Sequence, residues 1–503
     1  MEWFRIPILH RRDSYLKKAF NKERLREEVI ILTMQKENNG IKYAVNLGIA
    51  AIIMALVLFL PTDLGLAREA VEYLAILAAM VFMLITGVFD EHIVILATLA
   101  MCVIMKVASF STIFSAFSGT TMWMVLTILP ITVVIQKSGL MNRIALYLLK
   151  AFPCSYKWQL FALSLSSMVI SPLIPSTTAK SSLLASLTAS VADKMKLEKQ
   201  SKPLTGIFLA VFINGPSMGH IFLSGSVQAL LVVGMMPEEM AARFSWMGWL
   251  AAASVWAVVA FFMIYLVLLL LYHPEKPVSL TKEEINQMIE DMGTFSRTEK
   301  LTAVLMILTL IGWITKSWTG IPECIFAIFT YAVLYTTGAI SKKEFRAEVP
   351  WDVWIYVGGI VCVASLFTTL GIDTWLAQVM EPMVKIITCN PIVYIAALVL
   401  IVYAFRVFIV SSIATVTIFY VVFAATAYQL LGISPFITGF LIIGASKSWP
   451  TEYTNTNYVT AEAIVGKDSV RFKDAQMMSH IYILITIAAA IISIPFWKLI
   501  GLM

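Results

Sequence analysis

Charged residues are scarce in this sequence: only 14% of its 503 residues are Asp, Glu, Lys or Arg, whereas 59% are apolar. Soluble globular proteins are about a quarter charged, so this composition excludes a soluble protein and indicates a chain that lies mostly in lipid. The five cysteines stand singly, which excludes a disulfide framework. The net charge of +6 comes from basic residues between apolar runs, which predicts membrane orientation and no nucleic-acid partner.

Several enzyme motifs are also missing. Neither a Walker A loop nor an H-E-x-x-H pattern occurs, so we expect neither ATP-driven transport nor a zinc site of that type. Residues 215–219 match G-x-S-x-G and His220 follows, but that nucleophile motif requires a strand before it, and here it lies in an apolar run. We therefore expect no enzyme activity and no cofactor apart from a coupling Na⁺, with an intramembrane serine hydrolase as an alternative.

Long apolar runs dominate the chain instead. A helix needs about 20 apolar residues to cross the hydrocarbon core of a bilayer. The runs of about that length are 43–60, 71–89, 92–109, 120–137, 205–235, 245–272, 300–317, 321–340, 351–370, 437–462 and 477–499. Two more stretches, 157–194 and 391–431, are interrupted near the middle by Pro, Ser or Thr, which favours re-entrant hairpins. The predicted fold is an all-α polytopic membrane protein with about eleven transmembrane helices and two re-entrant hairpins.

The basic residues indicate how the chain is oriented. They concentrate in segments 11–26, 137–150, 194–199, 342–346 and 467–473. The predicted crossings between these segments place all five on the same face of the membrane. By the positive-inside rule, we expect a cytoplasmic N-terminus and an external C-terminus in the cell membrane. Residues 1–42 are expected to form a cytoplasmic amphipathic segment, and the polar residues 273–299 a cytoplasmic linker between two halves, 43–272 and 300–503.

The two halves carry the same features in the same order. Each has a hairpin interrupted at a serine, Ser176 in the first half and Ser411 in the second. Behind each hairpin lies an apolar run that contains helix breakers, 205–235 and 437–462. An odd number of predicted spans separates the copies, so they form an inverted repeat. Their hairpin tips can then meet near the midplane, where secondary transporters bind substrate.

Helices that begin inside a membrane create sites for anions. Their first N–H groups lack intrahelical partners, and the helix dipole places positive charge there. The two tips, 175–180 and 411–415, supply hydroxyl groups, and Lys180, Arg406 and Lys447 lie close in sequence. The polar run 451–458 has too many hydrogen-bonding groups for a wall that faces lipid, so we expect it to line the cavity. The ligand class predicted from these residues is a small multivalent anion.

The tip residues also carry a family resemblance. Residues 175–180, Pro-Ser-Thr-Thr-Ala-Lys, resemble the Ser-Asn-Thr tip of the divalent anion/sodium symporter family. They are more similar to the Pro-Ser-Asn-Thr-Ala-Arg tip of its plastid 2-oxoglutarate/malate and bacterial citrate/succinate exchangers. Residues 411–413 fall at the second tip of that family, and 221–226 resemble a segment of the exchanger branch. The match in organisation covers nearly all of residues 40–503.

This resemblance implies an elevator-type transporter, usually a homodimer. Its cargo would be di- or tricarboxylates such as succinate, malate, 2-oxoglutarate or citrate, carried by anion exchange or sodium symport. A sulfate-like inorganic anion is the alternative cargo, and a channel or a structural membrane protein is the alternative class. The residues implied to bind substrate are Ser176, Thr177, Thr178, Lys180, Asn214, Gly215, Ser411, Ser412 and Thr451. The residues implied for two Na⁺ sites are Pro175, Ser176, Asn214, Gly215, Ser411, Ser412 and Ala445.

Three positions depart from the family pattern. Thr177 and Ser412 replace the tip asparagines, and Ile413 replaces the second threonine with a side chain that forms no hydrogen bonds. Lys180 stands where the exchanger branch has Arg. Its ammonium group would take the place of bound sodium, which favours anion exchange.

Overall fold

The apolar runs form helices in the computed structural model, which describes residues 40–59, 65–376, 378–379 and 390–503. In these ranges, eight helices are long and apolar enough to cross a membrane, and four shorter apolar helices accompany them. The same ranges contain no strand, only an isolated bridge between Ser155 and Ser279. The predicted all-α fold is therefore confirmed, while the number of crossings stays a prediction.

The first half runs from α1 to α12. Its helices are α1 (Gly40–Leu58), α2 (Arg68–Thr86), α3 (Glu91–Ile104), α4 (Phe110–Ile113), α5 (Thr120–Ser138), α6 (Leu140–Ala151), α7 (Tyr156–Ile170), α8 (Thr177–Lys194), α9 (Lys202–Phe212), α10 (Val227–Met235), α11 (Glu238–Ala241) and α12 (Trp246–Leu271).

The linker and the second half follow. Their helices are α13 (Lys282–Asp291), α14 (Arg297–Ile314), α15 (Lys316–Thr319), α16 (Glu323–Thr336), α17 (Lys342–Ala347), α18 (Trp351–Thr369), α19 (Pro391–Phe405), α20 (Ser412–Leu431), α21 (Pro435–Ser446), α22 (Thr456–Val465) and α23 (Phe472–Leu499).

Four helix interruptions coincide with the positions expected from the sequence. The hairpins break between α7 and α8 and between α19 and α20, and the two following runs break between α9 and α10 and between α21 and α22. Serine begins both hairpin exit helices: the Ser176 hydroxyl accepts from the Ala179 N–H at 3.2 Å, and the Ser411 hydroxyl accepts from the Ala414 N–H at 3.1 Å. Each cap satisfies an N–H group that the helix itself leaves unpaired, which is why the helices restart there.

The helices pack as two groups. The frame consists of α2, α3, α5, α14, α16 and α18, which contact one another. The broken-helix core consists of α7–α10 and α19–α22, in which α8 packs on α22 and α10 packs on α20 and α21. Helices of the two halves are therefore interleaved within the core, as an inverted repeat requires. The core meets the frame where α10 contacts α5 and α18.

Two ion pairs join α5 and α6 to α14 and α17. Arg143 on α6 donates to the Glu299 carboxylate at 2.9 Å, and its guanidinium lies 4.4 Å from the centre of the Phe295 ring. Both charged side chains are buried. Lys137 at the end of α5 pairs with Glu344 on α17. These pairs join α5 and α6 of the first half to the beginning of the second half.

Two groups of predictions are left open by the fold. The amphipathic segment at 1–42 lies outside the described residues except for its last three. The orientation of the termini and the division into halves at 272 and 300 stay predictions.

Candidate functional site

A cavity of about 660 Å³ lies between the broken-helix core and the frame. Residues from the first turn of four helices line it, and we call these helices the converging helices: α8, α10, α20 and α22. The lining residues are Thr177 and Thr178, Val227 and Gln228, Ser412 and Ile413, and Thr456 and Asn457. The positive ends of four helix dipoles therefore meet at one cavity, an arrangement that favours an anion.

Lys447 lies at the second break and joins the first tip to the first broken run. Its ammonium group donates to the Thr177 hydroxyl at 2.9 Å and to the Gln228 side-chain oxygen at 2.8 Å. The residue is 2% exposed, and none of the described carboxylates forms an ion pair with it. An ammonium group has three N–H donors, so one remains beyond these two bonds.

Gln228 completes the connection to the second tip. Its amide nitrogen donates to the Ser412 hydroxyl at 2.7 Å, and its oxygen also accepts from the Ser226 hydroxyl at 2.6 Å. Together with Lys447, it links both hairpin tips and both broken runs through side chains. A second link joins the tip of α8 to α22, because the Thr178 hydroxyl donates to Asn457 at 2.8 Å.

Arg406 lines the same cavity and donates to three backbone carbonyls, while its buried Nε–H has no partner among the described residues. The guanidinium group donates to the carbonyl oxygens of Ile409 and Thr454, and to that of Val410 at 2.7 Å. These bonds connect residues 406–410, which precede the second tip, to the segment that precedes α22. Arg406 therefore adds positive charge to the cavity wall while holding the local backbone.

Carboxylates lie on the opposite, frame side of the cavity. Asp90, Glu91 and Asp352 belong to its lining, and Glu91 faces both Ser411 and Asp352. No ion pair joins these three residues to another side chain in the described ranges. The cavity thus has a cationic core wall and an acidic frame wall.

The sequence-predicted residues divide into two sets. The tip residues Pro175, Ser176, Thr177, Thr178, Ser411 and Ser412 line the cavity. Outside its lining are Lys180, Asn214, Gly215, Ala445 and Thr451. The reason is clearest for Lys180, which lies on the first turn of α8 but whose ammonium group is fully buried and donates to the Gly225 carbonyl at 2.6 Å. It therefore lies at the first break, behind the tip.

The residues implied for the two Na⁺ sites differ in what they offer a cation: the Asn214 side-chain oxygen is buried without a hydrogen-bond partner among the described residues, whereas other groups are already engaged. Lys180 already brings a cation to the first break. At the second break, the Ala445 carbonyl accepts from the N–H of Ser448 at 3.2 Å and from its hydroxyl at 2.7 Å, so both of its lone pairs are engaged.

Comparisons with known proteins identify the family. The family model described as the sodium:sulfate symporter transmembrane region matches residues 42–503. The chain belongs to this family. This confirms the resemblance to divalent anion/sodium symporters, and the chain is a multi-pass membrane transporter for a small anionic substrate, not an enzyme.

Relatives within this symporter family include plastid proteins. The chain is 26% identical over 406 residues to dicarboxylate transporter 1 of Spinacia oleracea, covering 78% of this chain and 70% of that protein. It is 26% identical to dicarboxylate transporter 1 of Arabidopsis thaliana, covering 66% of this chain and 61% of that protein. The crystal structure of the Alcanivorax borkumensis YdaH transporter shares the fold, with a TM-score of 0.54 at 14% identity over 78% of this chain and 88% of that one.

Three polar residues of the cavity lie outside the substrate-binding set predicted from the sequence: Gln228, Lys447 and Asn457. A usable signal exists for Gln228, a polar residue two positions after Ser226, where the first broken run resumes its apolar pattern. Asn457 lies within the polar run that was expected to line the cavity.

Proposed function

We propose that this symporter-family protein is a secondary active transporter that exchanges small dicarboxylates across the cell membrane. The observation that carries the proposal is the meeting of four helix N-termini with Lys447 at one cavity. Helix N-termini bind carboxylates through N–H groups that lack intrahelical partners, and one ammonium group supplies the charge. The names of the plastid relatives support dicarboxylates as cargo.

The polar groups of the core wall favour carboxylates of modest charge. Most of them are neutral hydroxyl groups, such as those of Thr177 and Thr178, and Lys447 has one N–H donor beyond its two hydrogen bonds. Neutral donors bind an anion without the cost of burying several unpaired charges in the membrane. A sulfate-like anion is the second candidate, and it is tested in the same experiment.

We propose exchange in preference to sodium symport because groups of the protein itself already occupy acceptor oxygens at the two helix breaks. Lys180 donates to Gly225 at the first break, and Ala445 has its carbonyl engaged at the second. A fixed ammonium group remains with the protein during a transport cycle, whereas a coupling Na⁺ must bind and leave with the substrate. The carrier would then return in exchange for a second anion.

The two helix groups favour an elevator mechanism. Both tips and both broken runs belong to the core, so the residues around the anion can move together. The frame would stay fixed in the membrane and would form the contact between two copies in a homodimer. We retain the cytoplasmic N-terminus and external C-terminus indicated by the basic segments.

The direct test is counterflow in proteoliposomes. Vesicles loaded with unlabelled succinate would be diluted into labelled succinate, malate, 2-oxoglutarate, citrate or sulfate, with and without Na⁺. We expect dicarboxylate uptake that needs internal succinate and is unchanged when choline replaces Na⁺. Vesicles without internal anion and vesicles without protein are the controls.

The results distinguish dicarboxylate exchange from sulfate transport, from sodium symport and from the absence of transport. Absence of uptake for all five anions would refute the transport proposal, and uptake of sulfate alone would favour the second candidate. A steep dependence on external Na⁺ would reject the exchange assignment. Lys180→Met should slow counterflow, whereas Lys199→Met, which alters an exposed lysine beyond α8, should leave it unchanged.

A further inference from the structure

Gln228 occupies an unusual position at the cavity. It lies in the first turn of α10, is 4% exposed, and forms hydrogen bonds with Ser226, Ser412 and Lys447. Its oxygen accepts from the Lys447 ammonium at 2.8 Å and from the Ser226 hydroxyl at 2.6 Å. The strongest cationic donor of the cavity is therefore directed at the neutral oxygen of an amide.

We propose that the Gln228 side chain is a placeholder for a substrate carboxylate. An amide oxygen and a carboxylate oxygen accept hydrogen bonds in similar geometry. An ammonium group and a hydroxyl group that both donate to an amide oxygen can therefore donate to a carboxylate oxygen in the same place. In this proposal, a substrate carboxylate displaces the Gln228 oxygen from Lys447. The proposal rests on the proposed function, because it needs a substrate that carries a carboxylate.

The path of the hydrogen bonds supports displacement over simple addition. From Thr177, the chain of bonds passes through Lys447 and Gln228 to Ser412, with donor–acceptor distances of 2.9, 2.8 and 2.7 Å. These side chains bridge the first tip to the second, and the bridge borders the cavity. A carboxylate that took the place of the Gln228 oxygen on Lys447 would open this bridge.

Displacement would also select for charge. The Lys447 ammonium group attracts an ionised carboxylate by Coulomb interaction in addition to the hydrogen bond, whereas the neutral amide oxygen offers the hydrogen bond alone, so a carboxylate can replace the amide. A neutral hydroxyl or carbonyl compound has no such advantage over Gln228. The placeholder thus lets anions enter while keeping Lys447 paired against neutral solutes, which makes Gln228 a specificity-determining residue.

Two substitutions should change the apparent affinity in opposite directions. Gln228→Glu places a permanent carboxylate beside Lys447, so the KM for succinate counterflow should rise about tenfold and the Tm of the purified protein without substrate should rise. Gln228→Ala removes the competitor, so KM should fall severalfold while Tm falls. Gln287→Glu and Gln287→Ala, on exposed α13, are matched controls that should change neither quantity.

Opposite shifts in KM are the decisive readout, since a merely structural glutamine would give impaired transport with either substitution. A KM that rises in Gln228→Ala would overturn the placeholder and make Gln228 a substrate ligand. A KM that stays at the wild-type value in Gln228→Glu would also overturn it. These failures require counterflow in the unmodified protein, whereas absence of wild-type counterflow refutes the proposed function itself, so the two failures are distinguishable.

Discussion

Replacement of Lys447 by methionine is the most informative single perturbation of the site. Methionine keeps the length of the side chain but removes its charge and its three N–H donors. In the structure two of these donors contact Thr177 and Gln228, and the third lies beyond these two bonds. Lys447→Met should therefore weaken anion binding without creating a large cavity.

The size of the effect follows from the lost contact. A hydrogen bond to a charged group contributes about 1.5–3 kcal/mol, and 1.4 kcal/mol corresponds to a factor of ten in an equilibrium constant. We expect the KM for succinate counterflow to rise about 10- to 100-fold. Stability should respond differently, because Lys447 is a buried charge without a carboxylate partner among the described residues, and removing such a charge relieves a desolvation cost. The Tm in detergent should stay the same or rise.

The assay combines both measurements on one preparation. Counterflow is measured over a range of succinate concentrations, and thermal unfolding is followed with and without succinate. Lys467→Met, on an exposed residue after α22, serves as the matched control. A KM within about threefold of the wild type would refute the assignment of Lys447 as the anion's cationic partner, because the lost contact would then be worth under about 0.7 kcal/mol.

Three further predictions concern one tip and two ion pairs. Thr178→Leu should abolish counterflow, because it removes a cavity hydroxyl and its 2.8 Å bond to α22, with uptake as the measurement. Arg143→Met or Glu299→Gln should each lower the unfolding free energy by about 3–5 kcal/mol, since one charge of a buried pair is left alone, whereas the double apolar replacement should be nearly neutral. Hydrogen bonding to Lys137 lowers the pKa of Glu344 to about 2, so this pair should stabilise the fold above the ordinary carboxyl pKa and lose its effect as the pH falls towards 2, which Tm against pH would record.

Controls keep these outcomes specific. Thr460→Leu changes a half-buried threonine on α22 that does not line the cavity, and it should retain uptake. If the Arg143 and Glu299 double variant were as unstable as either single variant, the ion pair would not explain the loss. For the pH profile, Glu344→Gln should remove part of the acid-induced fall in Tm and Glu348→Gln should not; equal profiles would contradict the role of Lys137.

The breaks were predictable because they are local features. Ser176 and Ser411 interrupt strongly apolar surroundings, and a hydroxyl residue in that position is a common helix cap. The direction of Lys180 was not predictable in the same way. Its sequence position places it on the first turn after the tip, but which side of that turn faces the cavity depends on how α8 packs against its neighbours.

The contacts of Gln228 show a second limit of prediction from the sequence. Its partners Ser412 and Lys447 lie 184 and 219 residues away, so their approach follows from the interleaving of the two halves. The repeat predicted that the tips would meet, but it did not say which side chains would fill the space between them. That information comes from the packing of α10 against α20 and α21.

Arg406 has a mechanical consequence for hairpin opening. A gate that worked as a flap would swing α19 and α20 away from their neighbours, and it would have to break the bond between the Arg406 guanidinium and the Thr454 carbonyl. The freed guanidinium would then be a charged donor with fewer partners in a buried position, which is costly. A lid hinged at this hairpin is therefore disfavoured, and access to the anion would change by displacement of the hairpin and the second broken run as one rigid piece.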